Sequence, residues 1–372
     1  MRELRVELGG GYPILIGDGL RKGAALIKHV GAHSKRVVVI SDDNVAPLYA
    51  HDLEAHLKAH GLETILITMP AGDEHKTRDT KNRIEDQMMQ QGFGRDTVIV
   101  ALGGGVVCDM AGFVASTYMR GVPVVYVPTT LLAMVDASVG GKTGVNTDYG
   151  KNLIGTITHP KAVLMDIATL KTQQDNEFVG GFIELVKHAL LRGKAEFADL
   201  VTHLDRILAR DFDLLERLVA ESCAIKRDVV EIDELEKGLR QTLNLGHTLA
   251  HAIETASAYR IAHGPAVALG LLGEAAIAVE LGHMTRECFE RINDFIRPLL
   301  AHMHHSLEGL DRRSIVNLMT LDKKARGKVP HFVLLEAIGK VVVQDGKHAI
   351  TVPSEAIEHA VDYVLAEFGT PC

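Results

Sequence analysis

Apolar positions in the first half of the chain fall into short β-branched runs. In the second half they recur at helical spacing. Residues 12–17 (YPILIG), 36–41 (RVVVIS), 63–70 (ETILITMP), 96–101 (DTVIVA), 124–128 (VVYVP) and 162–166 (AVLMD) read as strands. Residues 43–60 and 77–91 carry helical periodicity, and Met110, Ala111, Phe113, Val114 and Ala115 read as a helix start. Strands alternating with helices predict an α/β domain, a Rossmann-like, mostly parallel sheet covered on both faces. From about residue 174 the pattern changes. Residues 177–192, 195–209, 214–230, 243–257, 265–281 and 286–303 have helix spacing and short connections, so an all-helical domain is expected. Two late apolar runs, 331–335 and 340–343, suit a small hairpin, and 356–368 a closing helix. The boundary is expected within 171–176, giving domains 1–173 and 174–372. No Pro- or Gly-rich linker marks it, so a close-packed pair forming a cleft is expected.

Composition narrows the function class. At 372 residues and 47% hydrophobic, the chain can bury a core large enough for two domains. A formal charge of -8 argues against a general nucleic-acid binder, although local basic clusters suit a small anionic substrate. No stretch approaches the roughly 20 apolar residues of a membrane span, and the N-terminus has no apolar signal-peptide core. The four cysteines, Cys108, Cys223, Cys288 and Cys372, are scattered without a C-x-x-C pair, as expected of a reduced cytoplasmic protein.

The chemistry-bearing stretches cluster at element ends. LGGGVVCDMAGF (102–113) follows a strand and enters a helix; its glycines bring backbone N–H groups up to a phosphate, although the spacing is not G-x-G-x-x-G. In PAGDEHKT (70–77), Asp73 suits ribose hydroxyls and Lys76 a phosphate, while a helix cap with surface charges gives the same pattern. In SDDNV (41–45), Asp42 and Asn44 sit where α/β sheets bind nucleosides, or form an Asx turn. PTTLLAMVDASVGGKTGVN (128–146) carries Thr129, Thr130, Asp136 and Lys142. GKNLIG adds Lys151 and Asn152, and Arg120 closes the helix after the triglycine turn. Cations beside glycine turns fit a phosphate or carboxylate pocket better than a solvated face. Further on, Glu184 and Lys187 share one helix face at i, i+3. Arg240, Asn244, His247 and His251 follow at i+3 and i+4 steps, a polar stripe on an otherwise apolar helix, and His263 starts the next. Glu184, His247 and His263 make a plausible metal set, although the spacing is not H-E-x-x-H.

Taken in order, these blocks resemble the 3-dehydroquinate synthases, members of the sugar phosphate cyclase group, over roughly residues 10–345. The resemblance implies an N-terminal Rossmann-like domain and a C-terminal helical metal-binding domain. It implies NAD held by Asp42, Asn44, Ala71, Gly72, Asp73, Glu74, His75, Lys76, Gly104, Gly105, Val106, Val107, Cys108, Asp109, Thr129, Thr130, Thr169, Leu170, Lys171 and Thr172. Lys142 and Lys151 would lie where cofactor and substrate meet. Zinc or cobalt would sit on Glu184, His247 and His263. Asp136, Asn152, Lys187, Lys226, Arg240, Asn244, His251 and a lysine of the Lys323–Lys324 pair would surround an anionic sugar phosphate, with Arg120 reaching a neighbouring subunit of a homodimer. The implied reaction takes 3-deoxy-D-arabino-heptulosonate 7-phosphate to 3-dehydroquinate and phosphate, a step of the shikimate pathway towards chorismate and the aromatic amino acids. It combines transient NAD reduction, phosphate elimination and aldol closure. Valiolone- or inosose-forming cyclases and metal-dependent polyol dehydrogenases are the rival readings; Asp109, Asn244 and His251 keep the dehydroquinate pattern. The chain departs from that pattern at Cys108 (usually Gly), Asp73 (usually Glu), 173–176, Ile183, His188 (usually Tyr) and Pro265 (usually Glu).

Overall fold

The computed structural model describes residues 1–147, 149–321 and 329–369. It divides into two compact units: Met1–Gln173 with Arg210–Arg227, and Gln174–Ala209 with Asp228–Cys372. No helix among the described residues is long and apolar enough to cross a membrane.

The first unit is built on β1 (Arg2–Val6), β2 (Tyr12–Gly17), β3 (Arg36–Asp42), β4 (Glu63–Met69), β5 (Thr97–Gly103) and β6 (Val124–Pro128). A hairpin follows, β7 (Lys142–Thr147) and β8 (Gly150–Ile157), then β9 (Ala162–Asp166). Its helices are α1 (Ala24–Gly31), α2 (His51–Ala59), α3 (Arg78–Gln90) and α4 (Gly105–Thr117). The main sheet runs β1-β2-β9-β6-β5-β3-β4, parallel throughout except for the antiparallel β1–β2 edge pair. All seven residues of β5 are buried, as a central parallel strand covered on both faces must be. Val37 and Val39, Val98 and Val100, and Val125 and Val127 pack against Leu26, Val30, Leu53 and Leu57 of α1 and α2, and the alternate residues face the other way. The chain leaves β3 for β4 on one side and returns to β5 on the other. The β3–β5 junction is therefore a topological switch point, and Ser41 Oγ ties it by donating to the Leu102 carbonyl at 2.7 Å.

The second unit holds α5 (Asp175–Arg192), α6 (Lys194–Thr202) and α7 (Leu204–Leu208). After α8 (Phe212–Ile232), whose first turns belong to the first unit, come α9 (His247–Ala256), α10 (His263–Glu280), α11 (Arg286–Leu300), α12 (Arg312–Leu321) and α13 (Ser354–Phe368). It is not wholly helical: β10 (Leu335–Ala337) and β11 (Lys340–Val341) form a small antiparallel pair. Close helix approach is built in with glycine. A Cβ on Gly264 would lie 2.2 Å from Gly180 Cα, so α5 and α10 touch backbone to backbone.

Some expected elements are corrected. The edge strand β1 and the β7–β8 hairpin carry too few apolar residues in alternation to stand out, and neither was expected. The helix expected over 195–209 breaks at His203 into α6 and α7. The helix containing Arg240, Asn244, His247 and His251 is not continuous. Leu239–Asn244 is a 3₁₀ turn, and Gly246, with φ 79°, breaks the chain before α9 begins at His247. Arg240 and Asn244 therefore share no helical stripe with His247 and His251. Arg120 does not end α4 itself: α4 stops at Thr117, and Arg120, exposed at φ 71°, closes the short 3₁₀ turn Tyr118–Arg120 that follows it.

Candidate active site

In the first unit, parallel strands deliver one set of candidate residues to one sheet edge. Asp42 ends β3, Asp73 and Lys76 follow β4, Gly104 follows β5, Thr129 and Thr130 follow β6, and 169–172 follow β9. At the triglycine turn Gly104 is the N-cap of α4 and offers no side chain to the first-turn N–H groups. A Cβ on Gly103 would strike Val107 at 2.6 Å, so this glycine serves packing, whereas Gly104 and Gly105 are partly open. The buried hydroxyl of Thr129 has no hydrogen-bond partner among the described residues. An uncapped helix N-terminus and an orphaned hydroxyl fit a phosphate-bearing group at this edge. Thr130 Oγ1 instead accepts from the Ala133 N–H at 3.2 Å. Thr169 Oγ1 donates to the Thr129 carbonyl at 3.2 Å, and Thr172 bonds Tyr49 at 2.6 Å, fixing the turn that also holds Leu170 and Lys171.

The charges here are matched in pairs. Lys76 is buried, and its ammonium donates to Asp109 Oδ2 and, at 2.6 Å, to Asn152 Oδ1. Burial raises the Asp109 carboxyl above its usual range against the opposing pull of Lys76. Lys151 pairs with Asp73 at 2.8 Å. Lys226 donates to the Asp136 carboxylate at 2.6 Å. Asp42 makes the Asx turn: Oδ1 accepts from the Asn44 and Val45 N–H groups, both at 2.9 Å. Lys142 opens β7, exposed, directly after Gly140 and Gly141, both of positive φ. Cys108 turns inward. Its thiol is buried 4.0 Å from the Gly103 carbonyl, and burial pushes its pKa far up, so it is an inert packing group.

The second unit gathers three donors. Glu184 on α5 is fully buried; its Oε2 ion-pairs with Lys187, also buried, one turn on. Its Oε1 accepts no hydrogen bond from the described residues and faces His247 Nε2 at 3.5 Å and His263 Nε2 at 3.6 Å. His247 Nδ1 lies 3.0 Å from the Leu245 carbonyl, which can only accept, so Nδ1 carries the proton and the Nε2 lone pair points at a carboxylate oxygen. Two acceptors facing each other in a buried site fit a cation between them. Burial opposes ionisation of Glu184, but Lys187 and the two imidazoles outweigh it and hold the carboxyl well below its usual range. Burial and Lys187 hold His247 neutral. Burial also disfavours charge on His263, but Glu184 on one side and Glu254 on the other lift it to about 10. His251 lies edge-to-face on His247, ring centroids 5.5 Å apart. Nearby in the chain, Arg240 donates to the Glu234 carbonyl at 2.6 Å and Asn244 to Glu236 at 2.6 Å.

Two family models match in succession, 3-dehydroquinate synthase N-terminal over residues 66–180 and 3-dehydroquinate synthase C-terminal over 181–325. A 3-dehydroquinate synthase from Acidithiobacillus ferrooxidans is 43% identical over 350 residues, covering 92% of this chain and 94% of its own. The chain belongs to the 3-dehydroquinate synthase family. Among solved structures, 2-epi-5-epi-valiolone synthase from Streptomyces hygroscopicus, with NAD+ and Zn2+ bound, superposes with TM-score 0.84 at 27% identity, covering 95% of this chain and 97% of that one. A 2-deoxy-scyllo-inosose synthase complexed with carbaglucose-6-phosphate, NAD+ and Co2+ shares the fold, with TM-score 0.85 at 23% identity, covering 97% and 99%.

Within this 3-dehydroquinate synthase family member, Glu184, His247 and His263 come together as a possible metal group. Lys76, Asp109 and Asn152 also meet, as do Asp136 with Lys226 and Asp73 with Lys151. Ala71, Gly72, Glu74 and His75 form the turn after β4, and Val106 and Val107 lie in the first turn of α4. Lys323 and Lys324 lie outside the described residues. Sequence reasoning missed Glu254, whose carboxylate is 3.6 Å from His263 Nδ1. Its signal was its i+3 spacing from His251 on the same helix. It also missed Glu236, the partner of Asn244, and Asp233, whose carboxylate accepts from the N–H groups of Lys237, Gly238 and Arg240.

Proposed function

We propose that the chain is a 3-dehydroquinate synthase: it converts 3-deoxy-D-arabino-heptulosonate 7-phosphate to 3-dehydroquinate and phosphate, a carbon–oxygen lyase reaction. The observation that carries this reading is the convergence of Glu184, His247 and His263 in a chain 43% identical to a 3-dehydroquinate synthase along nearly its whole length. The glycine turn before α4, Thr129 and the 169–172 turn are the residues that would hold NAD, and Glu184, His247 and His263 those that would hold zinc or cobalt. When bound, NAD supplies a reversible hydride acceptor and the divalent ion a Lewis acid at the substrate oxygens. The protein's own task is then placement. Lys142, Lys151, Lys187, Lys226 and Arg240 present cations to the phosphate and carboxylate, with Asn152, Asn244 and His251 as neutral partners. Lys76 and Asp109 keep each other's charge in place beside Asn152. A homodimer in the cytoplasm, with Arg120 serving the neighbouring subunit, completes the reading.

Purified protein given NAD+ and zinc or cobalt with the heptulosonate phosphate should release phosphate and dehydroquinate without net NADH. Turnover of sedoheptulose 7-phosphate in its place would assign the chain to the other cyclases, and stoichiometric NADH to the dehydrogenases.

A further inference from the structure

α9 starts at a residue that cannot cap it. Its N-cap, Gly246, stands at φ 79°, ψ -12° and has no side chain to offer the first-turn donors. Those donors are satisfied from another helix. Glu274 of α10 accepts from the Gly246 N–H through Oε2 at 2.7 Å, and from the Thr248 and Leu249 N–H groups through Oε1 at 3.1 and 3.3 Å. Its side chain is 1% exposed. A buried carboxylate is costly unless it is fully hydrogen-bonded, so its presence in an otherwise apolar helix calls for a reason. The placement is equally tight: a Cβ on Gly270 would lie 1.9 Å from the Gly246 carbonyl oxygen, which brings α10 against the start of α9.

His247 is the first residue of α9, and His263 is the first residue of α10. We propose that Glu274 is a positioning residue for the metal centre, acting in two ways. By capping α9 from α10, it locks the two imidazoles to one another. By placing a negative charge on the first-turn amides of α9, it offsets the positive pole of that helix, which otherwise opposes a dication at His247. The inference rests on the reading of Glu184, His247 and His263 as the metal ligands.

Cobalt titration followed by the visible absorption of the bound ion tests it. Glu274→Gln keeps the volume and one acceptor but loses the charge and sets an NH2 against a backbone donor. It should bind cobalt about 10–100-fold more weakly, with displaced absorption bands, while far-UV circular dichroism stays native. Val361→Ala on α13, a cavity variant of a fully buried side chain, should lower the unfolding temperature yet leave cobalt affinity and spectrum as in the parent. Parent-like cobalt binding by Glu274→Gln overturns the proposal, and so does an equal loss in Val361→Ala, which would reduce the effect to general destabilisation. Should Glu274→Gln fail to fold, Glu274→Asp carries the same comparison, with weakened binding expected and unchanged binding overturning it. His247→Ala separates the two readings: if it binds cobalt like the parent, the metal set itself is wrong; if only Glu274→Gln does, the ligands stand and the positioning role falls.

Discussion

The two candidate regions handle charge in opposite ways. At the sheet edge of the first unit, each of the buried or half-buried cations Lys76, Lys151 and Lys226 has a carboxylate partner, and Asp42 is satisfied by its own Asx turn. In the second unit, Glu184 Oε1 and His247 Nε2 aim acceptors at one another, with no donor between them among the described residues, while His263 stands between two carboxylates. The ion pairs of the first arrangement are neutral and complete by themselves, so a ligand that engages those side chains must exchange one set of partners for another. The second is electrostatically incomplete by itself, and a divalent cation completes it. Fixed helix contacts suit a preassembled metal site, whereas loops with exchangeable ion pairs suit an anionic ligand that comes and goes.

The largest expected effect breaks the incomplete side. His247→Ala should lose bound metal and reduce phosphate release beyond the roughly 10–100-fold typical of a supporting residue, with the fold retained by circular dichroism. Full metal content in that variant would erase the contrast. Next, Lys76→Met attacks the complete side by stranding Asp109. It should cost on the order of 3 kcal/mol in denaturant unfolding, most of it recovered when Asp109→Asn is added. The sign with pH follows from the raised Asp109 carboxyl: the folded state holds that proton more tightly than the unfolded chain. Stability is therefore lost as pH rises from the unfolded value through the folded one, and removing Lys76 should enlarge that loss and extend it to higher pH. A Lys76→Met variant equally stable at acid and neutral pH would show that the pair does not matter to folding. The smallest effect sharpens the role of Asp42. Asp42→Ala should cost about 1 kcal/mol through the lost turn, whereas Asp42→Asn should keep it. NAD+ titration of Asp42→Asn then tells a turn residue from a ligand residue: weaker binding at unchanged stability means the latter.

Much of the fold was legible because its signals are local. The strands at 12–17 and 124–128, the glycine turn at 103–105 and the long helices each announce themselves through periodicity within a dozen residues. What failed depended on contacts between distant parts of the chain. Gly246 sits inside an apolar run that looks helical, and only its left-handed backbone, pressed against Leu271 and the α10 backbone, splits the expected stripe. The β7–β8 hairpin is mostly polar and held by long-range contacts such as the Asn146 N–H to the Lys76 carbonyl at 2.7 Å, which no periodicity announces.

The residue types of the candidate site, and their family, were determined by the sequence, because side-chain chemistry and motif order are properties of the chain itself. Which groups pair was decided by tertiary structure. The meeting of Lys76 with Asp109 and Asn152, the inward turn of Cys108, the second carboxylate on His263 and the cap that Glu274 lends to α9 all join residues on different elements. Their energies depend on burial and on distances of a few ångströms, and neither exists until the helices and strands have packed.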